Sequence, residues 1–451
     1  MANSYLNRTT GSPSNADKIT ISAWIKRTKP GAEQVIIGEY GSSTNRSKLQ
    51  FKSDNKLEYY QVDGGSATVQ IRTNRVFRDT SAFYHIVMQY DSAQSTSSDR
   101  LKIYVNGTQE TSLSVSTYPP QNQDTRLNKS GVNLHIGQDG NSGNYFEGYI
   151  SHIALVDNAI SAPTVFGETD STSGIWKFKS PSGVTWGNNG FHLKFENSGA
   201  LGTDSSGNSN TFTVNGNLKQ ALDTPSNVYS TMNPLDNYYP ASTFTHGNNT
   251  ILTANSNRSY NTGTLGASSG KWYWEIKNIS NVTSGNGTYI GIASTNPTND
   301  GVSSAEPLGN KQYDYAYLSA TGEYRTNGSN NSYGNSYGDN DIIGVAMDLD
   351  NNKLYFSKNG TWQNSGVPTS GSTGTGAISI QAPSGTVNGV YTAGVGDWWV
   401  NGFTVSFNFG NGFFGTTAIT SAGSNGNGSL FEYDVPNGYY ALNTKNINTY
   451  G

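Results

Sequence analysis

Short segments in which apolar and polar residues alternate run through most of the chain. "KITISAWIKR" (Lys18–Arg27) sets Ile19, Ile21, Ala23 and Ile25 on one side and Thr20, Ser22, Trp24 and Lys26 on the other. A period of two is that of a strand packed on one face. "QVIIGEY", "KLQFKS", "KLEYYQV", "ATVQIRT" and "FYHIVMQYD" follow, separated by Gly, Asn, Asp and Ser. No segment sustains a helical period between caps. Two stretches nearly repeat each other, "LKIYVNGTQ" (Leu101–Gln109) and "LYFSKNGTW" (Leu354–Trp362). Each alternates and then reaches Asn-Gly, which accepts the positive φ of a two-residue hairpin turn. Both are therefore read as the first arm and turn of a β-hairpin. There is no third copy, which argues against a solenoid. Strands punctuated this regularly predict sandwiches or barrels.

A chain of 451 residues is too long for one ordinary core, so two or three domains are expected. The 28 Tyr, 17 Phe and 8 Trp exclude a disordered chain, while charged residues make up only 13%. Net charge is −4 with no basic cluster, so no nucleic-acid footprint is present. No apolar run is long enough to cross a bilayer, so no membrane insertion is expected. "MANSYLNRTTGSPSN" lacks the regions of a signal peptide. Cysteine is absent, which removes disulfides and thiolate–zinc sites.

Four segments, "ITISAWIKR", "FYHIVMQYD", "RLKIYVNGTQ" and "YFEGYISHIALVDNAIS", resemble in order a laminin G-like domain of the concanavalin A-like superfamily, placed at residues 1–170. Residues 171–240 read as an irregular bridge. Inside it, "GFHLKFENSGALGTDSSGNSNTFTV" (Gly190–Val214) looks like the opening strand and loop of such a domain, so residues 190–215 are expected to return to the first sandwich, His192–Phe195 pairing with it. From residue 241 to 451, "GKWYWEIKN", "YIGIAS", "GDNDIIGVAMDLDNNKLYFSKNGT" and "VSFNFGNGFF" resemble a SPRY domain. The two resemblances imply an all-β protein of two antiparallel jelly-roll sandwiches in tandem. The combination is similar to structural proteins of tailed, marine-type bacteriophages.

A glycosidase needs two carboxylates facing one groove. The acidic pairs are Asp348/Asp350 and Glu432/Asp434, and the first is read as turn capping with solvent exposure, so no hydrolase signature is found. The five His, at 85, 135, 152, 192 and 246, show no metal spacing, and His85 and His152 are read as structural. No nucleophile elbow or Walker loop occurs, and no enzyme is expected. Calcium (Ca2+) is a candidate at the oxygen-rich loops "GQDGNSGN" and "GTDSSGN", through Asp139 and Asp204, although one carboxylate per loop is few. Tyr333, Tyr337, Trp398 and Trp399 lie in loop-like contexts and are the candidate ligand-stacking aromatics.

The resemblance implies a non-enzymatic virion component, on a tail fibre or capsid surface, assembled in the bacterial host cytoplasm. Its expected partners are other virion proteins and host cell-surface polysaccharide. A homo-oligomer is expected, with a trimer as first choice. The alternative is a purely structural decoration or fibre protein that binds only its virion neighbours.

Overall fold

The computed structural model describes residues 4–237, 242–253, 259–280, 287–294, 307–397 and 402–451. The chain divides into two compact units, Met1–Gln220 with Thr224–Ser226, and Ala221–Asp223 with Asn227–Gly451.

The strands of the first unit are β1 (Tyr5–Thr9), β2 (Lys18–Arg27), β3 (Gln34–Ser42), β4 (Asn45–Phe51), β5 (Lys56–Asp63) and β6 (Ser66–Val76). There follow β7 (Tyr84–Asp91), β8 (Leu101–Val105), β9 (Thr108–Gln109), β10 (Leu113–Thr117) and β11 (Asn133–Ile136). The series closes with β12 (Gly148–Asp157), β13 (Gly167–Thr169), β14 (Trp176–Phe178), β15 (Phe191–Leu193) and β16 (Thr213–Asn215). Among the described residues they build an eight-stranded sheet in the order β10-β6-β5-β4-β3-β11-β1-β16, a six-stranded sheet in the order β15-β12-β2-β7-β8-β9, and a separate two-stranded hairpin of β13 and β14.

The alternating apolar residues meet between these sheets. Ile19, Ile21, Ala23 and Ile25 of β2 join Leu49 and Phe51 of β4, Leu57 and Tyr59 of β5, and Val69 and Ile71 of β6 in one buried cluster. Each such aliphatic side chain contributes about 1.5–3 kcal/mol when fully buried.

Residues well beyond 170 belong to this sandwich. Phe191 pairs with Leu155 and Leu193 with Ile153, while Thr213–Asn215 pairs with the first strand. A buried carboxylate fastens the returning chain. Asp157 accepts from the backbone N–H of Ser14, Asn15 and Asn189 and from Asn128 Nδ2, at 2.7–3.1 Å.

The second unit also holds two large sheets, of seven and nine strands among the described residues. Its centre is the strand Lys271–Ser280, flanked by Ile342–Asp348 and Thr404–Asn408. Among the described residues pairing is antiparallel except for the short contact of Trp272 and Tyr273 with Tyr440 and Ala441 and the isolated bridge of Asn411 with Leu430. Asp348 caps its own turn, accepting from Asn351 N (3.0 Å) and Asn351 Nδ2 (2.8 Å). It is fully buried and paired with Lys271 at 3.1 Å, not solvent-exposed as the sequence reading expected.

The two repeated stretches fold alike. Asn106 and Asn359 both have φ 48°, and Gly107 and Gly360 follow with φ 79° and 80°. Each Asn Oδ1 accepts, at 2.8 Å, the backbone N–H that opens the partner strand, from His85 in one unit and Ile342 in the other. In both, an aromatic ring lies against the glycine. A Cβ would come within 2.6 Å of Trp176 at Gly107 and 2.7 Å of Tyr433 at Gly360. The motif thus requires glycine twice over, for its backbone and for the ring above it.

Candidate functional site

Each sheet of the first unit turns one face to the shared core and one away from it, and the two outward faces are treated differently. On the six-stranded sheet the outward residues Trp24, His85, His152 and His192 are covered by the chain segment 163–186. Trp24 stacks on His85 at 4.5 Å, and Trp176 of the β13–β14 hairpin lies beyond at 6.0 Å from His85. Phe178 stacks on His152 at 3.7 Å, and Trp186 lies over His192 at 5.7 Å. This apolar cover keeps the imidazoles neutral. Burial pushes His85 down to about 3 and His152 and His192 to about 4.

Ser22 Oγ lies 2.9 Å from His85 Nε2, a spacing that invites a nucleophile–base reading. The other nitrogen decides against it. Trp176 Nε1, which can only donate, bonds His85 Nδ1 at 3.0 Å. The ring proton is therefore on Nε2 and points at Ser22, so the imidazole donates to the hydroxyl instead of taking its proton.

The outward face of the eight-stranded sheet carries no such cover from its own unit and is polar. On β4, positions 47, 49 and 51 point inward, leaving Arg46, Lys48, Gln50 and Lys52 outward. The register sets Lys48 opposite Tyr60, Tyr60 opposite Gln70, and Gln50 opposite Glu58, with Glu58 opposite Arg72. These side chains line a cleft of about 460 Å³, which shares Arg46 and Lys48 with a second cleft of about 280 Å³ bounded by Glu39, itself paired with Arg126, and by Tyr40, Asp139 and Asn141.

The floor of this cleft is organised. Glu58 is only 2% exposed, and its two oxygens accept from Gln50 Nε2 (2.7 Å) and Gln70 Nε2 (2.8 Å). Gln50 is 1% exposed, and neither its Oε1 nor Arg72 Nε has a hydrogen-bond partner among the described residues. At the rim Arg72 pairs with Asp54 at 2.6 Å and Lys52 with Glu33. Lys48, half-buried, has no ion pair among the described residues. Burial lowers its pKa, opposed by the nearby Asp139 and Glu58 carboxylates and reinforced by Arg46. Arg46 donates to the Ser43 carbonyl and sits 5.9 Å from the Tyr60 ring centroid.

The residues singled out in the sequence lie elsewhere. Tyr333 and Tyr337 are 8% and 3% exposed and belong to the core of the second unit, which corrects the expectation of accessible loop aromatics. Tyr337 donates to the carbonyls of Thr288 and Tyr317, both at 2.9 Å, and Tyr333 accepts from Phe356 N at 3.0 Å. The loop that carries them is folded inward because these hydroxyls satisfy strand backbone groups. Trp398 and Trp399 lie outside the described residues.

Asp139 accepts three donors from its own loop, Asn141 N, Gly143 N and Asn144 Nδ2. Asp204 accepts four, from His192 N, Ser206 N, Ser206 Oγ and Asn210 N. Both carboxylates are thus occupied in holding turns. Among the described residues no group of three or more His, Cys, Asp or Glu side chains could hold a metal ion.

Sequence reasoning passed over the Arg46–Lys48–Gln50–Lys52 row. Its signal is present, as three cations and an amide at a spacing of two in "RSKLQFK". What turns such a row into a cleft is its cross-strand partners, which the local pattern does not name.

Comparison with known proteins bears on both units. Residues 2–166 match the family model described as the concanavalin A-like lectin/glucanases superfamily, and residues 271–378 match the SPRY domain. No curated protein matches the chain. Among solved structures, the SPRY domain of human HERC1 is similar at 16% identity over 39% of this chain and 96% of that one, with a TM-score of 0.31. A heptameric SAP-like pentraxin from Limulus polyphemus is similar at 17% identity over 36% of this chain and 74% of that one, with a TM-score of 0.28. The chain is nearly all-β and carries a concanavalin A-like domain followed by a SPRY domain.

Proposed function

We propose that this is a non-enzymatic binding protein of a bacteriophage virion, a tail-fibre or capsid-surface component that holds a host surface glycan. Both domain types are commonly binding modules. The observation that carries the reading is the outward face of the eight-stranded sheet. There Arg46, Lys48 and Gln70 stand around the Tyr60 ring over a fixed Gln50–Glu58 floor, the mixture of polar groups and ring surface that sugars use. Weak single sites of this kind gain avidity when a symmetric particle presents many copies.

Support against an enzyme comes from the carboxylates themselves. Asp348 and Asp350 cap turns, with Asp350 accepting from Gly270 N at 2.8 Å. Glu432 and Asp434 accept the backbone N–H of Thr420 and Ser424, both at 2.6 Å. The test is a glycan array probed with the full chain, run beside a reducing-sugar assay on every bound polysaccharide. Binding without sugar release supports the reading. Release of reducing ends would make the protein a depolymerase, and binding only to other virion proteins would make it a structural component.

A further inference from the structure

We infer that the cleft over β3–β6 selects acidic oligosaccharides, with an anionic substituent held between Arg46 and Lys48. This rests on the glycan-binding reading above and narrows it to one substrate class and one position. Four cations line the larger cleft, Arg46, Lys48, Lys52 and Arg72, against one carboxylate, Glu58. Lys52 and Arg72 are matched at the rim by Glu33 and Asp54. Glu58 is already bound by two amides, Asp139 by three donors of its own loop, and Glu39 of the smaller cleft by Arg126. Arg46 and Lys48 remain without an ion pair among the described residues, side by side on one face of β4 where the two clefts join.

Holding two unmatched cations together in a partly buried cleft is unfavourable. Burial is the main cause that lowers the Lys48 pKa, and Arg46 adds to it while Asp139 and Glu58 act the other way. A ligand anion relieves the unmatched pair, and a charge-assisted hydrogen bond is about twice as strong as a neutral one. A second observation points to a saccharide as the carrier of the charge. The Tyr60 ring lines the same cleft, 5.9 Å from the Arg46 guanidinium, and gives the apolar face of a sugar a surface that a simple anion would not use.

The test is calorimetric titration of the full chain with two matched probe pairs. One is oligogalacturonate against its carboxyl-reduced form, and the other is dextran sulfate against dextran. The pairs separate carboxylate from sulfate as the source of charge. The expected result is binding of at least one acidic probe, about tenfold or more weaker for its neutral partner, and weakening with added salt. Lys48→Gln and Arg46→Gln should each lower acidic-probe affinity about tenfold. Lys102→Gln, whose lysine pairs with Asp99 away from the cleft, should leave affinity unchanged.

Equal binding of neutral and acidic partners overturns the acidic selectivity while leaving glycan binding intact. Acidic binding unaffected by both cleft variants overturns the location. Failure of all four probes, together with an empty glycan array, overturns the glycan reading itself. Circular dichroism of each variant separates lost binding from lost folding.

Discussion

Acidification to pH 5 is expected to loosen the first unit selectively, through its three covered imidazoles. A histidine whose folded pKa is depressed binds fewer protons folded than unfolded, so its stabilising contribution is present above 6.5 and lost as pH falls towards the folded value. His85 goes from 6.5 to about 3, and His152 and His192 from 6.5 to about 4. At pH 5 each therefore costs about 2 kcal/mol relative to neutral pH, or about 6 kcal/mol together. Glu39 and Glu110, whose carboxyls burial pushes upward, offset part of this. The remainder is still a large share of the 5–15 kcal/mol by which an ordinary domain is stable, about half of it. The assay is hydrogen exchange with mass spectrometry on the full chain at pH 7 and pH 5, corrected for intrinsic exchange. Peptides covering residues 18–27, 84–91 and 148–157 should open several kcal/mol more easily at pH 5. His192→Phe, which removes an imidazole whose ring makes no hydrogen bond among the described residues, should recover about a third of the loss. Opening free energies that agree at the two pH values would refute the reasoning, because they would mean the covering hairpin does not keep these rings from water.

The second unit should respond with the opposite sign. Burial pushes Glu275 and Asp397 both up to about 7, so stability present at low pH is lost as pH rises through 7, by up to about 3 kcal/mol for Glu275 and about 4 kcal/mol for Asp397. The same exchange experiment between pH 5 and pH 8 reads it on residues 271–280. Replacing Asp157 by Ala strands four donors and should cost about 3 kcal/mol or more, seen as a lower urea midpoint and as protease cleavage near residues 187–190. Gly107→Ala and Gly360→Ala should each cost about 2 kcal/mol or more from the left-handed backbone and the displaced ring, measured by denaturant unfolding.

Much of the fold is legible where the determinant is local. Ile19, Ile21, Ala23 and Ile25 face the core as their alternation requires, and both Asn-Gly pairs make the turns their φ preferences allow. What the local pattern does not explain depends on chain from far away. Trp24 and His85 alternate outward on their strands, and the pattern gives no reason for them to be buried. They are buried because residues 163–186 fold over them, and that segment, short of alternation, reads as bridge. Tyr333 and Tyr337 are surrounded by Gly, Asn and Ser, as an exposed loop would be. Their burial follows from backbone acceptors and donors on Thr288, Tyr317 and Phe356, which no local window contains. The cleft was missed for the same reason, since its four strands meet only through register.

The contrast between the two outward faces of the first unit carries the functional argument. A sheet face that serves only to be wetted needs polar side chains, but it does not need them ordered. Long side chains held in one geometry lose rotamer freedom, up to about 2 kcal/mol each for Gln, Glu, Lys and Arg. On the open face Glu58 is nonetheless pinned by Gln50 and Gln70 and almost wholly withdrawn from water. The same chain covers its other sheet with Phe166, Trp176, Phe178 and Trp186, so it has the means to close a face by packing. Here it holds a charged row in place instead, with a buried carbonyl left unpaired beside it. Groups fixed before a ligand arrives lose less freedom when it binds, so the ordering that weakens the free protein strengthens the complex. A solvated surface gains nothing from that exchange, whereas a binding surface does.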